Sequence, residues 1–136
     1  MKSRTFSFLT TSLLFLMGLV ACFPGETIES TYEILDEAVA AGAVERGWVP
    51  EWLPDAAVNL HEKHNLDSNA SILRFSLSLT DFAIPLDCQE TTDPPSATIT
   101  ADWWPADLHR THRAFTCADG YLATDEENGF VYLWHP

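Results

Sequence analysis

The chain has 136 residues, with 7 Lys or Arg against 20 Asp or Glu, and a formal net charge of −13 at pH 7. A surface this acidic repels phosphate backbones and anionic lipid headgroups, because binding to both depends on positive charge. The composition therefore argues against nucleic acid as a partner. The length is that of a single domain.

The N-terminal residues 1–21 have the pattern of a secretory signal peptide. Lys2 and Arg4 precede an apolar run without acidic residues, and the Ser and Thr residues within it make a membrane span less favourable than a cleaved signal. Removal of these residues would leave 5 Lys or Arg against the 20 acidic residues, a formal charge of −15.

The run ends in Leu19-Val20-Ala21-Cys22, which resembles the lipobox of bacterial lipoproteins. The resemblance implies cleavage before Cys22, a thioether-linked lipid on its sulfur and acylation of the new terminus. Several acyl chains hold a protein to a bilayer far more firmly than one chain does. The alternative is an uncleaved anchor in which Cys22 is a buried thiol.

The expected location is the bacterial cell envelope, with the protein anchored to a membrane by its lipid. Phe23 stands where an Asp would follow the cysteine, and this resembles the sorting pattern for the outer membrane, facing the periplasm, in cells with two membranes. Residues 22–30 are predicted to be the lipid anchor and a short linker. Residues 31–136 are predicted to form a single domain.

Two cysteines, Cys88 and Cys117, remain for the exported domain. An even pair in an oxidising compartment predicts a disulfide, with the two Cα atoms ~4.4 to 6.8 Å apart. The alternatives are free thiols or a Cys/Cys metal site, but the close C-x-x-C spacing typical of zinc sites is missing. No cofactor is expected.

The stretch "STYEILDEAVAAGAVERG" begins with capping-box spacing and is rich in Ala, Glu and Leu. It predicts a helix from Thr31 to Glu45, ended by Gly47.

Pro50 and Pro54 favour a rigid, irregular segment over residues 48–54. Asp55 is placed to cap a second, short helix from Ala56 to His64.

From residue 72 onward the pattern is typical of strands. "ILRFSLSLT" alternates apolar and polar residues, "SATITADWW" and "RAFTC" predict further strands, and "GYLATDEENGFVYLW" predicts a hairpin that turns at Asn128-Gly129. Helices followed by antiparallel strands predict an α+β fold, in which one or two N-terminal helices pack on a four- to five-stranded antiparallel sheet.

The stretch from residue 47 to residue 67 also resembles an uncharacterised group of bacterial exported proteins. The resemblance covers about a fifth of the chain and implies no particular activity. The residues that carry its Gly-Trp-x-Pro and Leu-Pro pattern are Gly47, Trp48, Pro50, Leu53, Pro54, Ala57, His64, Leu66 and Asp67.

His61 and His64 are three residues apart, so they would share one face of the second predicted helix. A zincin site needs histidines at i and i+4, and the chain has no G-x-S-x-G nucleophile motif. No catalytic residue is therefore assigned. A small hydrolase or metal-binding protein that uses these histidines with nearby carboxylates is kept as the alternative function.

Four of the five tryptophans form the candidate binding surface: Trp48, Trp52, Trp103 and Trp104. Flat amphipathic side chains suit both sugar rings and protein partners. Trp103 and Trp104 are adjacent on a predicted strand, so they would point to opposite faces. The alternative is that the indoles fill the core. The function predicted from sequence is a non-enzymatic binding module for an envelope protein or glycan.

Overall fold

The computed structural model describes residues 25–80 and 82–136, except for the side chain of His109. The predicted lipobox and Cys22 lie outside these residues. Within them, no helix has the length and apolar character needed to cross a bilayer.

The strands are Thr27–Ile34 (β1), Val58–Asn65 (β2), Ser71–Ser76 (β3), Gln89–Thr91 (β4), Arg113–Cys117 (β5), Gly120–Asp125 (β6) and Phe130–His135 (β7). The helices are Leu35–Ala40 (α1) and Leu108–Thr111 (α2). All seven strands belong to one antiparallel sheet in the order β1-β2-β3-β7-β6-β5-β4. The predicted α+β fold, with helices packed on a four- to five-stranded sheet, is therefore wrong.

Of the first predicted helix, Thr31 to Glu45, only the six residues of α1 are helical, and its first residues belong to β1. Gly42, at φ +75°, ends α1. Its amide donates to the Val39 carbonyl, and the Ala43 amide donates to the Ala38 carbonyl, both at 2.9 Å. This Schellman motif stops the helix well before Gly47, because glycine adopts a positive φ without a steric penalty. The strand β1 itself begins at Thr27, within the stretch assigned to the linker.

The second predicted helix, Ala56 to His64, is also wrong, because most of it is the strand β2. Leu60, Glu62 and His64 alternate along this strand and are all buried. Two of the three are polar, so the period-two pattern that identifies a half-buried strand is absent from the hydrophobicity of the sequence.

Among the predicted strands, residues 72–80 correspond to β3, "RAFTC" is β5, and the C-terminal hairpin is β6 and β7, so these three predictions are confirmed. The predicted strand over residues 96–104 is wrong. That stretch has no ladder partner and packs as an irregular segment against the sheet through Ala97, Ile99 and Ala101.

Both faces of the sheet are covered, and each has its own core. The α1 face packs its buried side chains against α1 and residues 41–57; its sheet residues include Leu60, Leu73, Phe75, Phe115, Leu122 and Val131. The tryptophan face packs against residues 97–108, which carry Trp103 and Trp104; its sheet residues are Ile72, Ala114, Ala123, Tyr132 and Trp134. The alternation of side chains along β3, β6 and β7 sends consecutive residues to the two cores.

Candidate binding groove

A turn over residues 50–53 displays Trp52 at the protein surface. The amide of Leu53 donates to the carbonyl of Pro50 at 3.3 Å. Val49 and Leu53, on either side of the turn, are buried in the core of the α1 face. Trp52 is 44% exposed. The two buried anchors fix the turn and leave its indole in solvent.

Trp48 is only half-buried, but its ring already packs against two neighbouring side chains. It stacks on the imidazole of His64, with ring centroids 4.0 Å apart and planes inclined by 25°. The guanidinium of Arg46 lies 4.1 Å from the Trp48 ring centroid and also donates to the carbonyl of Ala41 at 2.6 Å. Trp48 therefore packs within the fold rather than offering an open ring.

Beneath Trp48 lies a buried polar pair. Nδ1 of His64 is 2.5 Å from Oε1 of Glu62, and both side chains are almost fully enclosed. Burial raises the pKa of Glu62 to about 8, against an opposing effect of the nearby Arg46. Burial, and then Arg46, lower the pKa of His64. At neutral pH the pair is therefore a protonated carboxyl that donates to a neutral imidazole.

His61 lies on the other side of the same strand. It sits opposite Arg74 in the β2–β3 ladder, and its ring centroid is 5.6 Å from that of Trp103 on the tryptophan face. Residues three apart on a strand point to opposite faces, so His61 and His64 cannot ligate one metal ion. In the part of the chain that the structure describes, no cluster of three or more His, Cys, Asp and Glu is arranged to hold a metal.

A groove of about 730 Å³ lies at one end of the sheet, between residues 44–52, the start of β3, the end of β7 and the β5–β6 turn. Trp48 and Trp52 line it from one side, and the Cys88–Cys117 pair lines it from the other. Its size is within the range of ordinary ligand sites.

The predicted disulfide between Cys88 and Cys117 is present in the wall of the groove. The Cα atoms are 4.0 Å apart, slightly closer than the expected range. Gln89 pairs with Thr116 in the β4–β5 ladder, so the two cysteines are direct cross-strand neighbours at its end. Cα atoms of such antiparallel neighbours approach more closely than those of most disulfides.

The groove lining combines carboxylates with aromatic rings. Glu51, Asp87 and Asp119 contribute the carboxylates, and no Lys or Arg is among its described lining residues. Oδ2 of Asp87 accepts a hydrogen bond from the amide of Ala118 at 2.9 Å, which holds this carboxylate in the wall. Sequence reasoning missed Asp87 and Asp119, because only the long-range pairing of β4, β5 and β6 brings them to the Trp52 turn.

Trp103 and Trp104 do not extend this groove. They lie in a turn rather than a strand, so the expectation that they point to opposite faces of one strand is wrong. Trp104 packs edge-to-face against Trp134 and Tyr132, with centroids 6.1 and 5.5 Å apart. Nε1 of Trp103 donates to Oε1 of Glu29 at 2.6 Å. The four candidate tryptophans thus form two separate groups, of which only Trp48 and Trp52 line the groove.

Residues 26–76 match the family model of the YbbD head domain, a domain of exported proteins. The match indicates an exported protein. It covers β1 to β3, α1 and the Trp52 turn, which is less than half of the chain. No curated protein and no solved structure matches the chain. The groove lies at the border of the matched region, since Glu51 is inside it whereas Asp87 and Asp119 are outside.

Proposed function

We propose that this protein is a lipid-anchored binding module of the bacterial cell envelope, which holds an envelope protein or glycan in the groove without catalysing a reaction. The observation that carries the proposal is Trp52, 44% exposed at the rim of a groove of about 730 Å³. The turn over residues 50–53 fixes the backbone that carries this indole before any partner arrives. Binding therefore costs little conformational entropy, which is the usual benefit of preorganisation.

The lipid on Cys22 is proposed to keep the groove close to the membrane. β1 begins at Thr27, five positions after Cys22. Even a fully extended connection of that length reaches less than ~20 Å. In a cell with two membranes the proposed site is the outer membrane, facing the periplasm. A partner confined to the same surface meets the groove at high effective concentration, so a weak intrinsic affinity is sufficient.

The placement of the histidines supports a binding role over the alternative of a hydrolase or metal-binding protein. The acid–base pair nearest the groove, Glu62 and His64, is buried beneath Trp48. His61 lies on the opposite face of β2. An enzyme needs its acid or base within hydrogen-bond reach of the substrate, and neither His61 nor His64, the histidines of that alternative, lines the groove.

The lipid anchor is tested by palmitate labelling and intact mass of the wild-type protein and Cys22→Ser, expressed in bacteria. We expect a labelled wild-type product that begins at Cys22 and remains in the membrane fraction. The variant is expected to be unlabelled. A wild-type product that starts elsewhere, or that carries no lipid, contradicts the proposed anchor.

The groove is tested by photo-crosslinking in intact cells, with a photoreactive amino acid in place of Trp52 or in place of Val39. Val39 is the matched control, because it is 54% exposed on α1 and does not line the groove. We expect a discrete adduct from the Trp52 position and none from the Val39 position. Equal labelling at both positions, or none at either, contradicts a binding role for the groove.

A further inference from the structure

We infer that the ligand of this groove is a basic peptide segment, a stretch of an envelope protein that presents Arg or Lys side chains to the groove carboxylates. The inference rests on the proposed binding function and names its ligand class. It follows from the charge of the groove, its aromatic rim and the rigidity of its walls.

Carboxylates dominate the charged groups of the groove, whose lining also includes the imidazole of His135. Glu51, Asp87 and Asp119 line it without a Lys or Arg among the described lining residues, in a chain whose net charge is −13. Arg113, on β5, is already paired away from the groove: it donates to both carboxylate oxygens of Glu90, at 3.0 and 2.9 Å. An acidic concave site raises the local concentration of cations and repels anionic partners.

The nearest cation shows how this part of the fold accommodates a guanidinium. Arg46 lies over the indole of Trp48 at the edge of the groove, 4.1 Å from the ring centroid. Trp52 presents a second indole with no such cation over it among the described residues. Arginine and lysine suit such a site because their aliphatic stems pack on apolar rings while the charged ends reach carboxylates.

An apolar contact for the peptide lies next to the carboxylates. Leu86 is fully exposed at the tip of the Pro85–Cys88 turn, whose Pro85 and Asp87 line the groove. An exposed leucine beside a charged wall favours an amphipathic peptide over a free inorganic cation, which would gain nothing from apolar surface.

The carboxylates are held by a rigid wall. The disulfide joins β4 to β5 below Asp87, and the β5–β6 turn carries Asp119 next to Gly120. A Cβ on Gly120 would lie 2.5 Å from the carbonyl oxygen of Trp134, so only glycine allows this turn to press against β7. A backbone fixed in this way presents the carboxylates of Asp87 and Asp119 to a cationic partner without the entropic cost of ordering the wall.

The test measures fluorescence anisotropy of a short labelled peptide of Arg, Leu and Ser on the full lipidated protein in detergent micelles. The matched probe carries citrulline at every Arg, which removes the charge and keeps the shape. The groove variant combines Glu51→Gln, Asp87→Asn and Asp119→Asn. The control variant removes the same charge outside the groove through Asp93→Asn, Asp102→Asn and Glu127→Gln, all at exposed positions.

We expect the arginine peptide to bind at least about tenfold more weakly to the groove variant than to the wild type or the control variant. The citrulline peptide is expected to bind weakly to all three. The inference is overturned if the groove and control variants lose affinity equally, or if the citrulline peptide binds as tightly as the arginine peptide.

Trp52→Ala separates this inference from the proposed function. A neutral chitin oligosaccharide is included as a second probe. If the oligosaccharide binds to the wild type and loses affinity for Trp52→Ala, whereas the arginine peptide binds to neither, the proposed binding function stands and the inference of a basic ligand is wrong. If Trp52→Ala binds both probes as tightly as the wild type does, the proposed site itself is wrong.

Discussion

The α1 face and the tryptophan face of the sheet both carry tryptophan, but they use it differently. On the tryptophan face, Trp103, Trp104 and Trp134 contact one another or the sheet in edge-to-face pairs and form a core. On the α1 face, Trp48 covers the buried Glu62–His64 pair and Trp52 stands in solvent. The difference indicates that aromatic content alone does not identify a binding surface: the packing around each ring decides its role.

The largest effect is expected from truncating the buried ring of Trp134 on the tryptophan face, with the exposed ring of Trp52 on the α1 face for comparison. Trp134 is 3% exposed and its Nε1 donates to the carbonyl of Pro95 at 2.8 Å. Trp134→Ala should lower the free energy of unfolding by about 3 to 5 kcal/mol. Trp52→Ala, at an exposed position, should change it by less than about 1 kcal/mol. Urea unfolding of both variants checks the contrast, and comparable losses would show that Trp52 is a core residue.

The disulfide ties the short edge strand β4 to β5 beside the groove. Replacing both Cys88 and Cys117 by Ala should cost about 3 to 4 kcal/mol, because the bridge closes a loop of roughly 30 residues in the unfolded chain. The three-residue edge strand β4 should then show the greatest acceleration of amide hydrogen exchange. Exchange in β2 and β3 serves as the internal control. A uniform acceleration across the sheet would contradict a local role.

The buried Glu62 makes the stability of the α1 face depend on pH. Its folded-state pKa, about 8, lies above the ordinary value of 4.5. Stability from this group is therefore fully present below pH 4.5 and is lost as the pH rises through about 8. His64, whose pKa is lowered, acts in the opposite sense, since its contribution is lost as the pH falls below the ordinary histidine range.

Glu62→Gln keeps a donor for Nδ1 of His64 and removes the titration. The variant should exceed the wild type in stability by a margin that grows between pH 4.5 and about 8. At pH 7 the difference in free energy of unfolding between the variant and the wild type is expected to be on the order of 3 kcal/mol. Urea unfolding across this pH range measures the difference, with Glu127→Gln at an exposed position as control. A margin that does not change with pH would contradict the assigned protonation state.

The smallest effect is expected from the hydrogen bond between Trp103 and Glu29 on the tryptophan face. Trp103→Phe removes the Nε1 donor to Glu29, whose carboxylate is partly exposed. Water can replace the lost hydrogen bond, so the cost should be about 0.5 to 1 kcal/mol. Thermal unfolding measures it, and binding of the arginine peptide in the groove should be unchanged. A loss of several kcal/mol would mean that this contact is structural.

Local signals in the sequence predicted the C-terminal part of the fold. The hairpin of β6 and β7 and the strands β3 and β5 are visible as alternating patterns, because each buries apolar residues on at least one face. The N-terminal half was misjudged for a physical reason. β2 buries Glu62 and His64 on one side, and β1 has few buried residues on either side, so neither shows a strand-like hydrophobic period.

The sequence by itself determined the acidic charge, the pairing of Cys88 with Cys117 and the hairpin of β6 and β7. Composition, the two cysteines that remain for the exported domain and the alternating pattern around Asn128-Gly129 can be read without knowing the fold. Only the tertiary structure decided which tryptophan is displayed, that His61 and His64 face apart, and that Asp87 and Asp119 meet the Trp52 turn. These relations join residues far apart in the chain, and strand pairing, which no local pattern encodes, brings them together.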